Sequence, residues 1–599
     1  MAETSALAFA ARAALHPERV AYRALAAGGA ARDEELTWGA WAEASRRFAA
    51  ALIADGHEPG ETVAILAGND PLWPIADLGV LMAGGVSVGL YPTSAPAQVA
   101  QLLADCGAAL VVVDTVAQLA KVEAARGQLP RLRAVVSREV DGVGSTVGWE
   151  AWLARGAEAL AAGAGEEIER RMAAARADDT ALLIYTSGST GAPKGAEISH
   201  RYLMASAASI GGALGLTEDD TTLSFLPFCH AAERVFGLHT RIATGMEAAL
   251  VADHARVWEA ARAYGPTLFG GLPRFYEKAY ETLRAEQERA EGDERERWVH
   301  TLSLGMTRSR LRRAGKEVPA EVEDEWREIG EPLFARVRAL FGGRTRLATS
   351  GGAGLPPEVA EYLDALGLTV LGAYGLTEHL CVAFNRPDDY GFDSSGPPMP
   401  GTELRIAADG EVLVRRGDLT FSRYWNRPDE TRAAFTADGE WVATGDLGEV
   451  TEDGKLRVTG RKKELIALST GKKVAPLPIE SRLAEDPWIG QAMLYGEGRK
   501  FISALVSLRP RMVDEWARKR SLPLSIELFR HPELTAQVQA AVDRVNEGLS
   551  RTERIRRFVV IDRELTAEAG ELTPTLKLRR EVVAERYHHA LDALYQTAG

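Results

Sequence analysis

Helical and strand-like hydrophobic periods alternate through the first half of this 599-residue chain. Trp38–Asp55 carries apolar residues at helical spacing, and Val63–Leu66 reads as a strand. Pro71–Ala83 reads as a helix, Val86–Leu90 as a strand, Ala97–Cys106 as a helix and Ala109–Val113 as a strand. Alternation of this kind implies an α/β domain built on a mostly parallel sheet. Gly142–Gly148 has one residue too many for a dinucleotide fingerprint and reads as a loop.

The chain is too long for one ordinary core, and its length implies about three or four packing units. Residues 276–340 are rich in Glu, Arg, Lys and Ala and read as two or three solvated helices inserted into the α/β body. Strand signals return at Arg346–Ser350 and Thr369–Ala373. From about 400 to 460, short strands alternate with Asp-Gly turns, which implies a small β-rich subdomain. Residues 462–599 mix helices and strands and read as a separate C-terminal domain after an N-terminal domain of residues 1–461.

Hydrophobic content of 46% and charged content of 26% are those of a soluble globular protein. A net charge of −14 disfavours general nucleic-acid binding. Cys106, Cys229 and Cys381 are far apart and lack metal spacing, so a reducing, cytoplasmic setting is expected. The start lacks a basic region and apolar core, so no signal peptide is expected. The apolar run Leu78–Leu90 is too short to span a bilayer and reads as a buried helix–turn–strand. Peripheral membrane contact and oligomeric state, a homodimer included, stay open.

The most informative local stretch is Ile184-Tyr-Thr-Ser-Gly-Ser-Thr-Gly-Ala-Pro-Lys-Gly195. An apolar strand, Ala181–Tyr185, leads into the hydroxyls of Thr186, Ser187, Ser189 and Thr190, interleaved with Gly188 and Gly191 and ending at Lys194. Glycines bring bare backbone N–H groups close to phosphate oxygens, and the lysine adds a mobile positive charge. It is not a Walker loop, because Pro193 and Gly195 flank the lysine and no helix is expected to start there. Two further strands run into Ser350-Gly351-Gly352-Ala353 and Tyr374-Gly375-Leu376-Thr377-Glu378. Ligands gather at the C-terminal ends of parallel strands, so the three loops are expected to converge at one rim. There Tyr374 offers a flat face for a base, Thr377 a hydroxyl for a phosphate and Glu378 a hard oxygen for Mg²⁺. Asp446, at an expected turn, is suited to accept two ribose hydroxyls. Gly460-Arg461-Lys462-Lys463-Glu464 marks the domain boundary, and Lys577 sits in an extended apolar segment, Leu572–Lys577, as a compact charge for an oxyanion or phosphate.

In order, YTSGSTGAPKG, SGGA, YGLTE, TGD, GRKKELI and LTPTLK resemble the adenylate-forming superfamily of acyl-CoA synthetases, luciferases and peptide-synthetase adenylation domains. The match runs from about Leu36 to Tyr587. The stretches LPFCHAAERV, PTLFGGLPRFYEK, STGKKVAPLPIE and GELTPTLKLRR are similar to those of long-chain fatty acyl-CoA synthetases of the bubblegum-like branch.

The resemblance implies a two-step reaction. A fatty-acid carboxylate attacks the α-phosphate of Mg-ATP, and coenzyme A then displaces AMP. It implies that Thr186–Lys194 holds the β- and γ-phosphates, with Thr186 beside the metal. Gly352, Ala353, Tyr374 and Gly375 would frame the adenine, Thr377 would touch the α-phosphate and Glu378 would ligate Mg²⁺. Asp446 and Arg461 would bind ribose, and His230 would lie beside the acyl carboxylate. Lys577 would bridge carboxylate and α-phosphate during adenylation only, with the C-terminal domain pivoting at Lys463 to bring Gly471 to a pantetheine tunnel. Some fatty-acid members carry an aromatic gate where this chain has Arg234, so any gate must be built differently. Two alternatives remain within ligases: a CoA ligase for another carboxylic acid, and an acyl-AMP ligase that loads a carrier protein.

Overall fold

The computed structural model describes residues 4–25, 34–186, 193–523, 528–529, 531–566, 569–573 and 577–596. The expected alternation resolves into two eight-stranded sheets. One runs in spatial order Arg423–Tyr424, Lys194–Ser199, Thr180–Thr186, Val86–Gly89, Thr62–Leu66, Leu110–Val113, Ala134–Ser137, Thr146–Gly148. The other runs His379–Phe384, Val370–Leu376, Leu347–Ser350, Leu268–Gly271, Thr221–Ser224, Glu247–Leu250, Val20–Ala24, Glu34–Thr37. The interior of each is parallel and antiparallel pairing is confined to edges, as expected for sheets whose central strands are buried on both faces. Val63, Ala64, Ile65 and Leu66 are accordingly buried without alternation.

Helix ends are specified locally. Thr37 caps Trp38–Ala54 by accepting from Ala40 N–H at 3.2 Å, and Ser199 caps His200–Leu214 by accepting from Tyr202 N–H at 3.2 Å. Pro96 opens Pro96–Cys106, and left-handed Gly107 closes it. One core joins the two sheets through Trp38, Trp41, Phe48, Trp73 and Phe228. Truncating such a side chain to alanine typically costs about 3–5 kcal/mol.

The inserted helices are Pro273–Arg289, Gly292–Arg313 and Ala320–Leu340. Their charged faces are solvated, while Tyr276, Trp298, Leu333 and Phe334 anchor them inward. The β-rich subdomain is a four-stranded antiparallel sheet: Leu404–Ile406, Glu411–Arg415, Trp441–Val450 and Leu456–Arg461. The C-terminal domain centres on Ile489–Tyr495, Ile502–Leu508 and Ile555–Ile561, packed by Pro476–Ala484 and Pro532–Glu547. No described helix is long and apolar enough to cross a membrane.

Three local expectations are corrected. Thr146–Gly148, read as part of a loop, adds a short parallel edge strand. Asp446 lies within the strand Trp441–Val450 rather than at a turn; left-handed Gly445 (φ +73°) and a register shift at Leu447–Gly448 bend that strand around it. The three ligand loops do follow the C-terminal ends of strands, but those strands belong to two sheets rather than to a single one.

Candidate active site

The strands Thr180–Thr186 and Lys194–Ser199 form an antiparallel hairpin that presents Thr186 and Lys194. Thr186 Oγ1 donates to Lys194 O at 3.4 Å. Ser187, Gly188, Ser189, Thr190 and Gly191 lie outside the described residues. Pro193 and Gly195 do exclude a helix, since the chain passes directly into a strand.

From the other sheet, Val370–Leu376 delivers Tyr374 and Gly375, and the turn to His379–Phe384 carries Thr377 and Glu378. This turn is tight. A Cβ at Gly375 would meet Leu380 O at 1.4 Å, so only glycine fits. Buried Tyr202 holds it from below: its hydroxyl donates to Thr377 O (3.1 Å) and accepts from Leu380 N–H (2.9 Å). The Gly351–Ala353 loop lies alongside, with an ideal Gly351 Cβ 3.9 Å from Ala373 Cβ. Gly352 is left-handed (φ +81°), and Gly352 and Ala353 are exposed.

Tyr374 O–H donates to Asp446 Oδ2 at 2.6 Å, and Arg461 Nε lies 3.0 Å from Asp446 Oδ1. Each carboxylate oxygen thus has one protein donor and keeps a further lone pair for a hydroxyl. Burial raises the Asp446 carboxyl, opposed by Arg461, the Tyr374 hydrogen bond and Lys577. Burial and the Asp446 carboxylate push the Tyr374 phenol well above its usual range, so the proton stays on the phenol.

Lys577, from the C-terminal domain, joins this group. Its charge is felt by His230 and Asp446 of the large domain, while Arg461, Asp446 and Glu464 act on it in return. Solvent reaches Lys577, yet enough protein surrounds it to lower its pKa, an effect Arg461 strengthens and the two carboxylates oppose. His230 Nδ1 accepts from Ala232 N–H at 3.1 Å, so the neutral ring carries its proton on Nε2. Burial, then Lys577, holds its pKa down at about 4. Beyond His230 the chain enters a π-helix, Ala232–His239, a form concentrated at functional sites.

Arg234 makes no gate. It is fully buried against the Asp77 carboxylate and Ser87 Oγ (2.6 Å), with its guanidinium 4.8 Å from the Trp73 ring.

The boundary segment is tied to both sides. Lys462 Nζ lies 2.6 Å from Asp409 and 2.8 Å from Glu411 of the β-rich sheet. Arg580 reaches Glu464 at 3.3 Å and Glu480 at 2.7 Å within the C-terminal domain. Exposed Lys463 sits between these anchors. Gly471 is not brought to Lys577. It turns the hairpin Ile466–Ala467/Lys473–Val474, whose contacts run to Glu497 and Arg499 of the same domain.

The residues suit Mg²⁺. No cluster of three or more His, Cys, Asp or Glu side chains able to hold a metal occurs among the described residues. Mg²⁺ is commonly bound by one or two carboxylates plus substrate phosphates, and Glu378, whose Oε1 accepts from Tyr424 O–H, keeps Oε2 for that purpose. Tyr424 was not foreseen from sequence, nor was Asp105, which accepts from Tyr185 O–H (2.7 Å) and Arg427 Nη2 (2.6 Å).

A large α/β body that holds a hydroxyl–lysine hairpin opposite an acidic turn, joined to a small domain that supplies a lysine, defines the class of AMP-forming ligases. The chain belongs to the family of AMP-binding enzymes: the family model matches residues 9–425, and the AMP-binding enzyme C-terminal domain matches residues 463–599. It is 34% identical over 583 residues to the long-chain-fatty-acid–CoA ligase FadD15 of Mycobacterium bovis, covering 94% of each chain. It is 29% identical over 591 residues to the long-chain-fatty-acid–CoA ligase ACSBG1 of Rattus norvegicus, covering 92% of this chain and 80% of that one. The anthranilate CoA ligase AuaEII, solved with anthranoyl-AMP, shares the fold with a TM-score of 0.73 over 98% of both chains at 20% identity.

Proposed function

We propose that this enzyme activates a long-chain fatty acid with ATP and transfers the acyl group to coenzyme A. The observation that carries this reading is the Asp446 carboxylate, held by Tyr374 O–H at 2.6 Å and Arg461 Nε at 3.0 Å within the electrostatic influence of Lys577 from the C-terminal domain. A carboxylate nucleophile and a triphosphate repel each other, and a preorganised cation lowers that barrier.

In the first step a carboxylate oxygen bonds to the α-phosphorus, the bond to the β-phosphate bridge breaks, and pyrophosphate leaves. Thr186–Lys194 holds the β- and γ-phosphates through backbone N–H groups, hydroxyls and the Lys194 charge. Gly352, Ala353, Tyr374 and Gly375 frame the adenine. Asp446 and Arg461 hold the ribose, and Thr377 contacts the α-phosphate. His230, neutral through the physiological range, orients the acyl carboxylate through Nε2–H. Lys577 compensates charge between carboxylate and α-phosphate. Glu378, with Thr186 nearby in the motif order, would hold Mg²⁺, which when bound neutralises phosphate charge.

In the second step the sulfur of coenzyme A bonds to the acyl carbon, the acyl–phosphate C–O bond breaks, and AMP leaves with the proton released from the thiol. Lys577 would block the thiol's approach, so residues 462–599 rotate on residues 1–461 at Lys463 and carry Gly471 toward the site. The anchoring of Lys462 to one body and Glu464 to the other favours that pivot. A long-chain acyl substrate is favoured by the substrates named for the two ligases above.

The test supplies palmitate, ATP, Mg²⁺ and coenzyme A and measures AMP and palmitoyl-CoA, followed by a carboxylate chain-length series read as kcat/KM. Equimolar AMP and thioester are expected. Acyl-adenylate and pyrophosphate without thioester would overturn coenzyme A as acceptor and point to a carrier protein instead.

A further inference from the structure

The segment 421–427 leaves the β-rich subdomain to add an edge strand to the phosphate hairpin. Arg423 pairs with Glu197 and Tyr424 with Ala196, and Trp425 N–H donates to Gly195 O at 2.8 Å. An ion pair between Arg423 Nε and Glu197 Oε1 at 2.8 Å fixes this register. Its far end is anchored on Asp105: Arg427 Nη2 meets the carboxylate at 2.6 Å and Trp425 Nε1 donates to the Asp105 carbonyl at 3.2 Å. The same carboxylate accepts from Tyr185, next to Thr186 in the hairpin, at 2.7 Å.

So held, the segment grips Glu378 twice. Phe421 N–H donates to the Glu378 carbonyl at 2.8 Å, and Tyr424 O–H donates to Glu378 Oε1. Lys194 Nζ stands 5.3 Å from the centre of the Tyr424 ring, within cation–π range. Tyr424 therefore contacts both a lysine and a glutamate, through its ring and its hydroxyl respectively, and the two form no ion pair with each other among the described residues.

We propose that Tyr424 is a positioning residue that keeps Lys194 and Glu378 apart and aimed at different parts of one ligand. This rests on the reading of Glu378 as the carboxylate that holds Mg²⁺ and of Lys194 as a phosphate-holding cation. The O–H occupies Oε1 and presents Oε2 in one orientation. The ring satisfies Lys194 weakly enough for a phosphate to displace it, and occupies the space through which lysine and carboxylate would otherwise collapse together.

Two variants separate these roles. Tyr424→Phe keeps the ring and loses the O–H; Tyr424→Ala loses both. The readout is equilibrium binding of Mn²⁺, followed by electron paramagnetic resonance with α,β-methylene-ATP present, beside binding of the same analogue without divalent cation, followed by calorimetry. Removing an outer-shell partner of a metal ligand costs about 10- to 100-fold in affinity, so Tyr424→Phe is expected to weaken Mn²⁺ at least about tenfold while leaving cation-free analogue binding within about twofold. Tyr424→Ala is expected to weaken both. Mn²⁺ binding by Tyr424→Phe within twofold of wild type would overturn the proposal, as would equal weakening of both ligands by that variant. Glu378→Gln, measured in parallel, separates the layers. If it weakens Mn²⁺ and Tyr424→Phe does not, only the positioning role falls. If Glu378→Gln leaves Mn²⁺ unchanged, the assignment of the metal ligand falls and the proposal with it.

Discussion

Among the aspartate–arginine pairs of the large domain, Asp77–Arg234 and Asp446–Arg461 do different work. Asp77 and Arg234 are both 0% exposed, with Ser87 Oγ and the Trp73 ring as their surroundings. Asp446 is 5% exposed and Arg461 46%, and both act electrostatically on Lys577. The chemistry is the same; the solvent is not. A pair sealed from water cannot exchange partners without leaving a bare charge in a medium of low polarity. A pair open on one side can trade part of its bonding for a ligand hydroxyl at little cost. Burial thus assigns the first pair to the fold and leaves the second accessible to a ligand.

The sharpest way to break this contrast is Asp77→Asn. Losing one partner of a buried pair costs about 3–5 kcal/mol, so chemical denaturation should show a large loss of stability, with the KM for ATP unchanged in the protein that remains folded. A stable variant with an altered KM would place the pair in the site instead.

Lys577→Ala should do the reverse. Removing one preorganised group that meets developing charge costs about 10²–10³-fold, so carboxylate-dependent ATP–pyrophosphate exchange should fall by that factor while the melting temperature stays near wild type. Thioester formation from supplied acyl-adenylate should survive, because Lys577 is assigned to the first step alone. The lowered pKa of Lys577 adds a pH signature: adenylation should decline on the alkaline side below the usual lysine range near 10.4. A profile flat to that pH would remove Lys577 from the chemistry.

Asp446→Asn should raise the KM for ATP about tenfold through weakened ribose binding, with kcat less affected and stability unchanged. Equal losses in denaturation stability would mean that the open pair is also part of the fold.

The smallest expected effect concerns buried histidines. Burial holds His57, His200, His230 and His379 down at about 4, whereas an unfolded imidazole titrates near 6.5. Between these values the unfolded chain binds more protons, so stability falls as pH drops from about 6.5 toward 4. Glu233 opposes this. Burial pushes its carboxyl up to about 7, so it withdraws stability as pH rises through the same window. Melting temperature should therefore fall by several degrees between pH 6.5 and 5, and Glu233→Gln should steepen the fall. A flat profile in both proteins would refute the assignment.

Much of the architecture was legible because it rests on local information. Thr37, Ser199, Pro96 and Gly107 mark helix ends by their own hydrogen bonding and backbone preference. Unbroken apolar runs such as Val63–Leu66 read as strands buried on both faces. The division of the ligand loops between two sheets was not legible, since strand order follows from packing across hundreds of residues. Asp446 was misread as a turn because Thr-Gly-Asp suits a turn, whereas here left-handed Gly445 bends a continuing strand. Tyr424, Asp105 and Tyr202 carried no signal of their own: each is an ordinary residue whose partner lies 46 to 322 positions away.

What the sequence by itself determined is the inventory: an α/β body, a hydroxyl–glycine–lysine loop, an acidic turn and a lysine near the far end. These are readable because motif chemistry and periodicity act over a few residues. Only the tertiary structure decided which charges meet and which are kept apart. It sealed Arg234 from solvent beside Asp77, put His230 and Asp446 under the electrostatic influence of Lys577, and linked Lys194 and Glu378 through Tyr424. Charge interactions depend on separation and on the surrounding medium, and both are properties of the folded chain.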